Sequence, residues 1–217
     1  MWPRRCRPAG FLRFQLGRSR TFSTSLIPDR RGIEANLDAL IGDEADFFLT
    51  YAHAEVPFHL APGQFASLTV AHDRLIPLVA TEIVLSGHAQ PGRNLLDRAV
   101  AQPRLAIPYL SYGLNSFFGV ALSRLLLRRP PFRRRTTHEN TISAGLMNMA
   151  LTGAGLCWLP QSLAREEMEA GRLVPASADE GWNLDLEIRL YRHAAGRNRK
   201  VEDLWQTAQQ LLERSPA

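Results

Sequence analysis

The chain has 217 residues, enough to bury a sizeable core as one domain or as two small lobes. A hydrophobic content of 45% with 22% charged residues is that of a soluble globular protein, and no apolar run approaches the roughly 20 residues of a membrane span. The net charge of +5 invites a nucleic-acid reading, but Lys200 is the sole lysine, and an arginine bias with abundant Ala and Leu points to GC-rich coding more than to selection for a polyanion.

The N-terminal segment carries Arg4, Arg5, Arg7, Arg13, Arg18 and Arg20 and has no acidic residue before Asp29. Three readings compete: a transit peptide, a basic arm on phosphates, and the remnant of a longer chain whose true beginning is missing; the last is favoured. Residues 21–27 are β-rich and stop at Pro28-Asp29. The spacing predicts a helix over 32–41, with Ile33, Leu37, Leu40 and Ile41 on one face. A buried strand at 47–51 and a loop at 57–64 follow, then a strand at 75–80, where Pro77 implies an edge or a crossover. Residues 86–102 are polar, with one helical turn near Leu95. After a strand at 105–112 comes a helix at 116–128, with Ser116 as N-cap and Val120, Leu122, Leu125 and Leu126 inside. Pro130-Pro131 breaks it, 133–137 is extended, and a helix at 142–152 is capped by Asn140 or Thr141. Gly153 and Gly155 make a turn into the apolar run 156–159, read as a parallel strand covered on both faces. Pro160 ends it, a helix runs from Gln161 or Ser162 to Gly171, and 172–175 is extended. There is no internal repeat, and strands alternating with helices predict mostly parallel sheets with right-handed crossovers.

In open α/β sheets ligands bind beyond the carboxyl ends of strands, at helix N-termini. That rule selects Tyr51 and His53 after residues 47–50, Ser111, Tyr112, Asn115 and Ser116 after the strand at 105–112, and His138, Glu139 and Asn140 after the segment at 133–137. A small anion is the simplest ligand, because backbone N–H groups and hydroxyls converge at such turns. Each residue also has a plainer reading: Ser116 as a cap, Tyr112 as packing, His53 as a satisfied loop histidine. Met147, Met149 and Met168 fill core or sense oxidant, since sulfoxide formation turns an apolar side chain polar. Cys157 reads as a small buried hydrophobe and Cys6 as a terminal thiol; the pair forms no disulfide framework and no metal motif.

An enzyme reading finds no support. Gly-x-Ser-x-Gly, His-Glu-x-x-His and the P-loop are missing, and Gly153 to Gly155 precede a strand, the wrong context for a dinucleotide site. His138-Glu139 has no nucleophile or metal partner at a useful spacing. No cofactor and no metal are expected.

The stretch LMNMALTGAGLCWLP at 146–160 followed by QSLAREEMEAGRLVP closely resembles the second lobe of the effector-binding domain of LysR-type transcriptional regulators. NLDALIGDEADFFLTY resembles a helix and strand of the first lobe, DRLIPLVA the strand crossing between lobes, LDLEIRLYR after Asn183 the late strand, and 201–212 the closing helix. Tyr51-x-His53, DRLIPL, the Pro108-Tyr109-Leu110 strand and LEIRLYR are most similar to the hypochlorite-responsive members. The resemblance implies an α/β fold of two Rossmann-like lobes, as in type 2 periplasmic binding proteins. The first lobe is incomplete at its N-terminus, with 11–16 and 21–27 standing as its opening helix and second strand. It divides the chain into a basic segment 1–20, a first lobe 21–80 that shares 184–217, and a second lobe 81–183.

The same resemblance implies a small-molecule effector between the lobes, Met149 as the best redox candidate, and self-association as a homodimer or higher homo-oligomer through 32–41 and 116–128. It implies a cytoplasmic bacterial setting with no membrane partner, and DNA contact only through a helix-turn-helix that this chain does not carry. The alternative is a stand-alone anion-binding protein of periplasmic-binding-protein-like fold, which needs a secretory signal whose apolar region the first residues lack. A transit-peptide-bearing organellar protein is the third rival.

Overall fold

The computed structural model describes residues 33–58, 60–61, 63–196 and 198–214. The expectations for the basic segment 1–20, for Cys6, for a helix at 11–16 and for a strand at 21–27 lie outside the described residues. The chain divides into two compact units, Met1–His72 with Leu186–Ala217, and Asp73–Asp185.

In unit 1, helix α1 (Ile33–Ile41) buries Leu37, Ala39 and Leu40, whereas Ile41, expected on the inner face, is 49% exposed. Strand β1 (Phe48–Ala52) runs antiparallel to β9 (Leu184–His193), with Phe48 opposite Tyr191 and Ala52 opposite Glu187. Apart from Ala52, β1 is half-buried, so the buried strand expected at 47–51 is only partly covered. The closing helix α6 (Arg199–Glu213) starts where Lys200 N–H donates to the Asn198 side chain at 2.9 Å, and it buries Trp205 and Ala208. Arg192, on β9, is buried over the Trp205 ring at 4.6 Å and donates to Glu202 at 2.6 Å, so its desolvated charge is met by a carboxylate and a π face.

Unit 2 begins inside β2 (Phe65–Ala80), the strand in which the chain leaves unit 1 at His72. It is 16 residues long, far beyond the 75–80 read from the sequence, because FASLTVAHDR has too little alternation to announce a strand. Next come β3 (Glu82–Leu85) and β4 (His88–Pro91), which form an antiparallel hairpin, and helix α2 (Leu95–Ala101). The polar stretch expected at 86–102 with a helical turn near Leu95 covers β4 and α2, and β3 lies ahead of it; the two-residue turn at Ser86-Gly87 is the sequence signal for the hairpin.

The remaining elements are β5 (Ile107–Ser111), α3 (Phe117–Arg128), β6 (Arg134–Glu139), α4 (Ser143–Leu151), β7 (Cys157–Pro160), α5 (Gln161–Glu169) and β8 (Leu173–Pro175). Strands β7 and β8 pair antiparallel with β2, Leu75 facing Pro160 and Ala80 facing Leu173. Strands β5 and β6 are parallel, with a register shift at Tyr109/Leu110. The expectation of mostly parallel sheets is therefore corrected: parallel pairing among the described residues is confined to β5–β6 and the Tyr109–Leu156 bridge. The apolar run at 156–159 reported burial on both faces correctly, but burial carries no information about strand direction.

The core of unit 2 centres on Trp158, fully buried, whose indole N–H donates to the Trp182 carbonyl at 2.8 Å. Tyr109 meets the Trp158 ring edge-on. Helix α3 buries Phe117, Phe118, Ala121, Leu122 and Leu125, while Val120 and Leu126, expected inside, are half-buried. Asp73 fastens β2 to α5 by accepting from Ser162 N–H at 3.1 Å and from its hydroxyl at 2.5 Å, which caps that helix from a neighbouring strand.

Candidate functional site

The two loops that leave the carboxyl ends of β5 and β6 meet in unit 2. The parallel register sets Leu110 opposite His138 and Ser111 opposite Glu139, and Asn140 N–H donates to the Ser111 carbonyl at 3.0 Å. The loops are also tied where the Tyr112 hydroxyl, just after β5, donates to Ser143 Oγ at the start of α4, at 2.8 Å. Six of the eight expected binding residues thus belong to one cluster: Ser111, Tyr112, Asn115, Ser116, His138 and Glu139.

Ser116 is the N-cap of α3, accepting from Gly119 N–H at 3.0 Å. Its single proton is directed at the Tyr112 and Gly113 carbonyls, at 3.1 and 3.0 Å, so the hydroxyl is committed to the turn. Tyr112, just beyond the end of β5, is 1% exposed and packs on Phe118 with ring centroids 5.1 Å apart. Ser111 accepts from Gly113 N–H at 3.2 Å. Behind them, burial of the Tyr109 phenol pushes its pKa up to about 12 despite the opposing Arg134 guanidinium, so Tyr109 stays neutral. Asn115, His138 and Glu139 are exposed and form the outer surface of the cluster.

Sequence reasoning missed the residues that allow the loops to meet. Gly113 has φ of +75°, and Gly119 sits so close to it that a Cβ at 119 would lie 1.6 Å from the Gly113 carbonyl oxygen. Ser143, the anchor for Tyr112, was also missed. A glycine three residues inside a predicted helix was the available signal. The expected cap of α4 takes another form: Asn140 Oδ1 accepts from Ile142 N–H at 2.9 Å, one residue ahead of the helix, and the cap position itself has no side-chain bond.

Tyr51 and His53 lie in unit 1. Tyr51 is half-buried and faces Ile188 across the β1–β9 pair. His53 closes a turn, its Nδ1 accepting from Glu55 N–H at 3.2 Å and its carbonyl from Val56 N–H at 3.0 Å, which is the satisfied loop histidine of the plainer reading. Shallow hollows occur beside Asp43, Asp46 and His193, and beside Asn198 and Glu202, and neither includes a candidate residue. Met149 is half-buried near the end of α4, and its carbonyl accepts from Thr152 N–H, the Thr152 hydroxyl and Ala154 N–H at 3.2, 2.8 and 3.3 Å. Cys157 is fully buried and its thiol is pushed far up by desolvation, which leaves it inert. Among the described residues no group of three or more His, Cys, Asp or Glu could hold a metal ion, and no helix is long and apolar enough to cross a membrane.

Residues 33–213 match the family described as the LysR substrate binding domain. The chain is 26% identical over 179 residues to the HTH domain-truncated transcriptional regulator QseD of Escherichia coli O157:H7, covering 82% of this chain and 67% of that protein. It is also 26% identical to the HTH-type transcriptional regulator YjiE of Escherichia coli K12, covering 82% of this chain but 54% of that protein, about half its length. The apo regulatory domain of HypT from Salmonella typhimurium superposes with a TM-score of 0.74 at 24% identity, over 95% of this chain and 90% of that domain. Full-length HypT, a hypochlorite-specific LysR-type regulator, gives 0.67 at 25% identity over 85% of this chain and 57% of that one. The fold is that of the regulatory domains of LysR-type regulators, the type 2 periplasmic binding protein fold. With the motifs, the fold and the match over most of its length in agreement, this chain belongs to the LysR substrate-binding domain family, the effector-sensing part of LysR-type transcriptional regulators.

Proposed function

We propose that the turns at 111–116 and 138–143 of unit 2 contact a small-molecule effector, and that the chain serves a cytoplasmic bacterial transcriptional regulator by binding, not by catalysis. The observation that carries this reading is the junction of two loops at the carboxyl ends of parallel strands, held by the Asn140–Ser111 and Tyr112–Ser143 bonds. DNA contact belongs, in this reading, to a helix-turn-helix, since specific readout needs an element shaped for the major groove. The test is a hybrid in which residues 33–213 replace the corresponding domain of YjiE, with a reporter read across a panel of amines, carboxylic acids and hypochlorite. A compound-dependent reporter change that is lost in Asn115→Ala supports the reading. A reporter indifferent to every compound rejects it.

A second reading, oxidant sensing at Met149, is favoured by the half-buried placement of that thioether and by the hypochlorite-specific character of full-length HypT. In the same hybrid, Met149→Leu keeps the fold and blunts the hypochlorite response; an undiminished response makes Met149 core filling. Self-association is proposed as well. Helix α1 exposes Ile41 and helix α3 exposes Leu127, which is 86% exposed, and isologous pairing is the commonest oligomer geometry. Light scattering at micromolar concentrations should show a dimer that Leu127→Glu weakens; a monomer throughout rejects this proposal.

A further inference from the structure

Turn chemistry alone favours an anion at the 111–116 loop, but the bonds actually formed in unit 2 point the other way. Two of the hydroxyl protons that would greet an anion are committed elsewhere: Ser116 donates to the Tyr112 and Gly113 carbonyls, and Tyr112 donates to Ser143 Oγ. Beside Gly113 at the outer surface stand the Glu139 carboxylate and the Asn115 amide oxygen. A Cβ on Gly113 would lie 2.8 Å from Glu139 Oε1 and 3.2 Å from Asn115 Oδ1, so both oxygens press on the bare face of this glycine. The register that sets Glu139 opposite Ser111 holds the carboxylate there, on the last residue of β6, and among the described residues no ion pair neutralises it. A carboxylate in that position repels a second anion and attracts a donor-bearing cation. We propose that Glu139 is a specificity-determining residue of the effector cluster, selecting a ligand with an ammonium or guanidinium group against anionic ligands. The proposal rests on the reading of this cluster as an effector site.

The experiment follows the backbone amides of Gly113, Asn115, Gly119 and Gly145 by NMR in the full chain. The probes are agmatine, sodium bromide, and sodium chloride at matched ionic strength. In the parent, agmatine shifts the Gly113 and Asn115 amides saturably and bromide leaves them where chloride does. In Glu139→Gln, which keeps the shape and removes the charge, the agmatine shifts fall at least several-fold and bromide shifts emerge. Glu139→Asp, which keeps the charge, retains part of the agmatine response. Bromide shifting these amides in the parent as strongly as in Glu139→Gln overturns the selectivity while leaving the cluster as a binding site. If neither probe moves these amides in any of the three proteins, the cluster reading fails and takes the proposal with it.

Discussion

At position 119 any side chain meets backbone. The 1.6 Å approach of a Cβ to the Gly113 carbonyl oxygen cannot be relieved by a rotamer change, because the obstacle is the turn that carries the Ser116 cap. Gly119→Ala should therefore destabilise the protein by about 1–3 kcal/mol. At this chain length each kcal/mol lowers the thermal midpoint by about 2–4 °C, which calorimetry resolves; an unchanged midpoint would mean that the turn at 113 shifts freely. Removing the cap in Ser116→Ala should cost about 1 kcal/mol in urea unfolding. The two positions differ in how readable they are. Ser116 announces itself, since a serine ahead of an apolar helical pattern has few other uses. Gly113 and Gly119 do not, because their value lies in the approach of one loop to another, which local pattern does not encode. For His53 and Tyr112 the sequence leaves two readings open, and the structure adds a bond within its own turn for the one and packing against Phe118 for the other.

The hairpin β3–β4 turns at Ser86 and Gly87, with φ of +51° and +83°. Two consecutive left-handed residues make the kind of turn that matches strand twist, and asparagine tolerates its first position better than serine. Ser86→Asn should raise stability by up to about 1 kcal/mol, visible as a higher thermal midpoint; a lower midpoint would show that the turn has another geometry. Helix α3 was legible, because an apolar stripe at helical spacing survives in sequence whatever it packs against, and α6 followed from the family resemblance. Strand existence was legible too, at 107–111 and 157–160, but not strand direction. The β7 run of Cys157, Trp158, Leu159 and Pro160 is buried on both faces, yet it lies antiparallel to β2. The long β2 escaped for a related reason: its first half is half-exposed and mixed in polarity.

For the whole molecule, the family was legible because several motifs recur in one order along 33–213, and order over that length is far more specific than any single turn. The placement of Glu139 against Gly113 was not legible, since it depends on how the loops after β5 and β6 meet, a product of the fold. The net charge of +5 likewise says little about the cluster, whose exposed carboxylate opposes it. The claim that unit 2 holds the effector contacts is tested most directly by hydrogen exchange. Compounds from a library of small amines and acids that raise the thermal midpoint are added to the full chain, and amide protection is mapped. Protection should concentrate in residues 111–119 and 139–146. Protection confined to unit 1, around Asp43 and His193, or a library with no stabilising compound, would contradict the account.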